Sequence, residues 1–248
     1  MIFFFKEKPI VLDCFVSCDR KTVMDLAPIT PSREYIPNWW KNLKAADFDE
    51  KEFMFNKSVK TCYGIFSMMT EGFILPCWTD FMLKLDTEKN LAQINFADNM
   101  TSYSTHSSVQ IANFMDEFNS LKLVSPWKIK CKKDVQFLLC RPFYNSKYKK
   151  EVDILPGILD FKYQASLNVF LKFLKTEKSL ISYKFNEPLL QIIPLTEKKI
   201  VIKNHIVSEE EYKSLEVFSG VHFLNGYRKN RTIAENKESK CPFGFGKK

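Results

Sequence analysis

Between Pro156 and Pro194 the chain alternates turn signals with short apolar runs, a pattern that restricts the fold more than any other stretch. Pro156-Gly157 sets a tight turn, because proline fixes φ and glycine adopts conformations other residues avoid. An acid-bearing run from Ile158 through Asp160 to Tyr163 follows it. Leu167, Val169, Leu171 and Phe173 then recur at every second position, which aligns them on one face of a strand and scatters them around a helix. A last apolar run, Pro188 to Pro194, closes the stretch. These segments predict a compact β-module with one carboxylate, Asp160, just after a turn.

With 248 residues, 45% of them hydrophobic, the chain can bury a sizeable globular core. Its 23 Phe, abundant Lys and only 7 Gly match an AT-rich codon usage. The net charge of +8 comes from bases interleaved with acids, the pattern of a solvated basic surface rather than a nucleic-acid groove. Glycine scarcity matters more, since phosphate-cradling loops need glycines for close backbone approach. No GxGxxG or GxxxxGK[ST] occurs, which argues against Rossmann and P-loop nucleotide binding. The seven cysteines form no CxxC pair and read as reduced thiols, most of them small core residues. Met1-Ile2-Phe3-Phe4-Phe5 is cut short by Lys6, too early for a secretory leader. No run approaches the roughly 18 apolar residues of a membrane helix. A soluble intracellular protein with no membrane partner is expected.

Further strands are expected at residues 9–16, 121–124 running into 127–131, 135–140 and 199–203, the last continuing the sheet of the 154–194 module. Ser32 is a candidate cap for a short helix around Pro37–Leu43. A second helix, Cys62 to Glu71, ends at Gly72, where positive φ is cheap. Phe73–Leu85 and Leu91–Ala97 read as a hairpin across residues 86–90. Ser208-Glu209-Glu210-Glu211 is a capping box with Glu211 reaching back, opening a helix within residues 209–217. The reading is mainly β (α+β), a single antiparallel β domain over residues 1–232 with short peripheral helices and a mobile basic C-terminal tail over 233–248.

Complete catalytic patterns are missing. His106, His205 and His222 stand in no HxH, HxD or HExxH spacing, and His205 and His222 read as ordinary surface residues. Cys140 next to Arg141 is the most suggestive thiol, with core or sheet filling the preferred role. Trp39-Trp40 with Phe48, Phe53 and Phe55 could stack on a base or sugar, yet such residues more often cover a β-core edge. Asp160 and Tyr163 remain as a pair that could orient a water and floor a pocket, or satisfy a turn.

Ile36-Pro37-Asn38-Trp39-Trp40-Lys41, Gly72 to Asp80, Ser125-Pro126-Trp127, Pro156-Gly157-Ile158, Pro188 to Leu195, Lys203 to Tyr212 and Lys240-Cys241-Pro242-Phe243 carry a nearly full-length likeness. On these segments the chain resembles an uncharacterised protein family of marine tailed bacteriophages, which implies action in the host cytoplasm. Gly157 to Tyr163 and Asn186 to Ile193 resemble, more locally, the third and fourth motifs of trimeric dUTP pyrophosphatases, a β-clip family. That resemblance implies a β-clip-like sheet, Asp160 positioning a water, Tyr163 beneath a pyrimidine and Gln191 near phosphates. Arg141, then Lys162, would offset phosphate charge, and Mg2+ would bridge the phosphates. The sequence departs from that pattern at Asn186-Glu187-Pro188, and Arg141-Pro142 stands where a Pro-Arg-Ser-Gly motif belongs.

The expected function is a non-enzymatic phage accessory or binding protein without a cofactor. The alternatives are dUTPase-like pyrimidine-nucleotide binding or hydrolysis with Mg2+, and a virion structural or decoration role. The partner is left open: nucleic acid is disfavoured, and a homo-oligomer is compatible with the sequence.

Overall fold

A computed structural model describes residues 8–86, 91–106, 120–145, 151–174, 179–215 and 231–232. The expected tail at 233–248, the hairpin tip at 87–90, the end of the last helix beyond 215, His222 and Cys241 lie outside these residues.

Strict alternation builds the larger sheet. Ile10–Ser17 (β1) buries Ile10, Leu12, Cys14 and Val16 and leaves Val11, Asp13 and Phe15 half-buried, as a period of two requires. It pairs antiparallel with Ser120–Cys131 (β9) and parallel with Ile200–Val207 (β16). β9 also pairs with Ser166–Phe173 (β13) on one side and with Ser102–His106 (β8), alongside β1, on the other. Val152–Ile154 (β11) adds an edge to β13.

A second sheet runs Gly157–Asp160 (β12), Gln136–Cys140 (β10), Pro188–Pro194 (β15), Phe73–Pro76 (β5) and Thr30–Pro31 (β2). A third joins Ser179–Tyr183 (β14), Phe81–Asp86 (β6) and Leu91–Phe96 (β7). Ala46–Asp49 (β3) and Met54–Lys57 (β4) form a separate hairpin. The first three sheets share one core, with Leu12, Leu123, Trp127 and Leu167 meeting Leu75, Phe137, Ile192, Leu83 and Ile181. Each such side chain contributes about 1.5–3 kcal/mol on burial. Short helices among the described residues lie outside the sheets: Lys21–Leu26 (α1), Asn38–Asn42 (α2), Tyr63–Thr70 (α3) and Glu209–Ser214 (α4). The fold is thus mainly β, mostly antiparallel, with a few short helices, as the alternation predicts. No helix among the described residues is long and apolar enough to cross a membrane.

The structure corrects several local expectations. The 154–194 stretch is not one module: β12 and β15 enter the second sheet, β11 and β13 the larger one, β14 the third. Alternation fixes which face of a strand is buried but not which neighbour it finds. Likewise β16 crosses to the larger sheet as the parallel partner of β1 instead of continuing beside β15. Phe73–Leu85 breaks at Cys77–Asp80 into β5 and β6, which belong to different sheets, and only β6 forms the hairpin with β7. Ser32 caps no helix: its N–H bonds Gly72 O at 3.0 Å, extending the β2–β5 edge, and α2 starts after Pro37. Ser208 does cap α4, accepting from Glu211 N at 3.2 Å.

Gly72 ends α3 as expected, at φ +71°. A Cβ there would sit 2.1 Å from Ile192 O, so the glycine also lets the helix end close against β15.

Candidate functional site

Asp160 ends β12 opposite Gln136, and the chain turns at once, with Tyr163 N and Gln164 N bonding Asp160 O at 3.1 and 3.2 Å. Both Asp160 and Tyr163 are buried. The carboxylate accepts from Lys162 N at 2.8 Å, the bond of an acid satisfying its own turn. Burial raises the Asp160 pKa to about 6; the Lys162 N–H opposes that shift, and a hydrogen bond and charge from Asp134 add to it.

Gln191 and Arg141 are elsewhere. Gln191 pairs with Cys140, four residues along β10 from Gln136 and on the other side of that strand from Asp160, so their backbones lie about 16 Å apart. Its buried amide donates to Met68 O and Glu71 O at 2.8 and 2.9 Å, satisfying the carbonyls at the end of α3. Arg141 pairs with Asp153 at 3.4 Å and lines a separate pocket of about 210 Å3 with Tyr183, Glu187 and Pro188. The four residues expected to form one site therefore do not converge.

The other candidates resolve individually. Cys140 is buried, and that burial pushes its thiol up to about 11 despite Arg141 beside it. His205 is not simply solvated: its Nε2 lies 2.8 Å from Asp13 Oδ1, and its ring stacks on Phe15 at 4.8 Å. Trp40 is buried against Phe66 while Trp39, set edge-on at 84°, bonds Tyr144 O. Phe48, Phe53 and Phe55 stand exposed on the β3–β4 hairpin, a two-stranded sheet separate from the others. Among the described residues no three His, Cys, Asp or Glu side chains are grouped to hold a metal.

A cleft of about 500 Å3 lies on the outer face of the larger sheet. Period two aims Lys122, Val124, Lys128 and Lys130 of β9 away from the core, with Ser166 and Asn168 of β13 beside Lys128 and Val124, and Ser102 of β8 across from Val124. The β9–β13 register shifts within this floor: residues 124–128 of β9 face only 166–168 of β13. The extra residues form a bulge at Ser125-Pro126-Trp127, where Trp127 N bonds Ser125 Oγ at 3.0 Å. α4 is fastened over that bulge by two bonds, Tyr212 Oη to Pro126 O at 2.9 Å and Lys128 Nζ to Tyr212 O at 2.7 Å. Lys128, only 4% exposed, also lies 3.8 Å from the centre of the Tyr212 ring.

The cleft walls carry Arg20, Lys122, Lys128 and Lys213 against Asp19 and Glu209. Arg20 is held by Asp98 at 3.2 Å and Lys213 by Glu209 at 2.7 Å. Burial, with the charge of Lys128 added, lowers the pKa of Lys130. Ser17 also lines the cleft, and among the described residues its buried Oγ has no hydrogen-bond partner; Trp127 turns its indole into the core, where Nε1 likewise has none. Ser125-Pro126-Trp127 stands out in the sequence, but the cleft does not: its lysines look like a solvated face, and Ser17 joins it only through the β1–β9 pairing.

No family model matches the chain, and neither a curated protein nor a solved structure matches it.

Proposed function

We propose that the chain is a non-enzymatic binding protein of a tailed bacteriophage, acting as an accessory factor in the infected cell, with the cleft over β9 as its binding site. The observation that carries the binding reading is the cleft itself: a concave surface on which polar and charged side chains, Arg20, Lys122, Lys128 and Asn168 among them, converge around Met100, Val124 and Pro126. The phage assignment rests on the sequence resemblance. Native mass spectrometry of the protein recovered from infected cells tests the proposal. A stoichiometric small ligand on the wild type, absent from Lys122→Glu, is expected. A bare wild-type protein, or a chain present at high copy number in purified particles, contradicts it; the second outcome favours virion decoration.

Pyrimidine-nucleotide hydrolysis is a second reading, favoured by one observation: an acid with a pKa near 6 sharing a turn with a tyrosine. On that reading Mg2+ and dUTP give turnover that Asp160→Asn abolishes. No hydrolysis of dUTP or dCTP, and no thermal shift with either, ends it.

A further inference from the structure

Residues 1–7 precede the described chain, and we propose that Met1–Phe5 docks as an added antiparallel strand along the open edge of β16. The larger sheet ends at β16, which pairs only with β1 among the described residues. Ile10 N–H donates to Lys199 O at 2.9 Å, and a parallel ladder engages alternate residues of each strand. The main-chain groups of Lys199, Val201 and Lys203 are therefore turned toward β1, and those of Ile200 and Ile202 away from it. An edge of this kind offers donors and acceptors to one more strand and is otherwise a template for pairing with other chains. From Asn204 onward it is covered, because Asn204 Nδ2 donates to Ile29 O at 3.1 Å in the connection between α1 and β2. The open run is Ile200–Lys203, at the end of the sheet where β1 begins.

That run borders a groove of about 1200 Å3, lined by Ile36, Phe66 and Phe73 and by Ile200, Val201 and Ile202 of β16. Successive strand residues point to opposite faces, so a groove touching three in a row follows the edge itself. Its volume exceeds the roughly 300–1,000 Å3 of small-molecule sites and suits a stretch of chain. Position and length select the occupant. Ile10 lies beside Ile200, so residue 7 connects to the sheet at the end of this groove. From β1 to a strand beyond β16 is two strand spacings, about 9.5 Å, which Lys6, Glu7 and Lys8 span at about 3.3 Å each. Met1–Phe5 then reaches about 17 Å, enough to run the length of Ile200–Lys203. All five are apolar, and alternation sends Phe3 and Phe4 to opposite faces, so that one of them meets Phe66 and Phe73. A tether this short holds the segment at an effective concentration in the millimolar range, above that of a separate chain.

Amide hydrogen exchange at Ile200, Val201 and Ile202, followed by NMR in the full chain and in a chain begun at Lys8, tests the proposal. In the full chain all three exchange slowly. In the shorter chain Ile200 and Ile202 exchange at least roughly tenfold faster, while Val201, bonded to β1, stays slow and shows that the sheet is intact. A peptide of residues 1–9 added in excess restores the slow exchange, and Phe3→Asp combined with Phe4→Asp in the full chain reproduces the loss. Equal exchange of Ile200 and Ile202 in the two chains overturns the proposal, as does fast exchange of both beside a slow Val201 in the full chain. Protection that falls on dilution as a dimer dissociates overturns it too, because the occupant is then a second copy. If the shorter chain also loses protection at Val201, the doubly substituted full chain decides between the same outcomes.

Discussion

Asp160 holds its proton more tightly in the folded chain than in the unfolded one, because burial raises its pKa to about 6 and Asp134 adds to that. Between the ordinary carboxylate value and about 6, the folded state is protonated while the unfolded chain has let go. Stability from this group is complete below the unfolded pKa and is lost as pH rises through about 6. The shift of roughly two units corresponds to about 2–3 kcal/mol at most. Asp160→Asn keeps an oxygen for the Lys162 N–H and removes the titration. Urea unfolding at about pH 4 and pH 7.5 should show the variant losing roughly 2 kcal/mol less than wild type between the two. Equal losses would mean that Asp160 ionises like a surface acid. The sequence showed that an acid follows the turn, but its burial depends on β10 and on Asp134, brought alongside only by the fold.

Two elements meet where α3 ends against β15, and two residues hold that junction. Gly72→Ala forces a side chain into positive φ and against Ile192 O, which should cost more than about 2 kcal/mol in urea unfolding. Gln191→Leu leaves the Met68 and Glu71 carbonyls without donors and should cost about 2–4 kcal/mol. A loss below about 0.5 kcal/mol would remove Gln191 as the clamp on α3. Gly72 was legible from the sequence, since a glycine closing a helical run has one common use. Gln191 was not: a glutamine within an apolar run identifies a buried amide but not its partner, and the likeness to a phosphate-binding motif suggested a different one. The alternations at Ile10–Ser17 and Ser166–Phe173 showed which side chains face inward, yet nothing local specified that β1 takes a parallel neighbour from the far end of the chain.

At the scale of the molecule, the fold sorts charge that the sequence interleaves. Lys122, Lys128, Lys130, Lys172 and Lys203 fall on the outer face of one sheet, with Asp13 and Asp153 among them, because strand period two and register align them. A net charge of +8 read along the chain suggested only a solvated basic surface; in three dimensions part of it lines one cleft. The central claim is that this cleft binds a small ligand. Native mass spectrometry of the protein recovered from infected cells, wild type beside Lys122→Glu, tests it most directly. A stoichiometric small ligand on the wild type and none on Lys122→Glu is expected; a bare wild-type protein would contradict it.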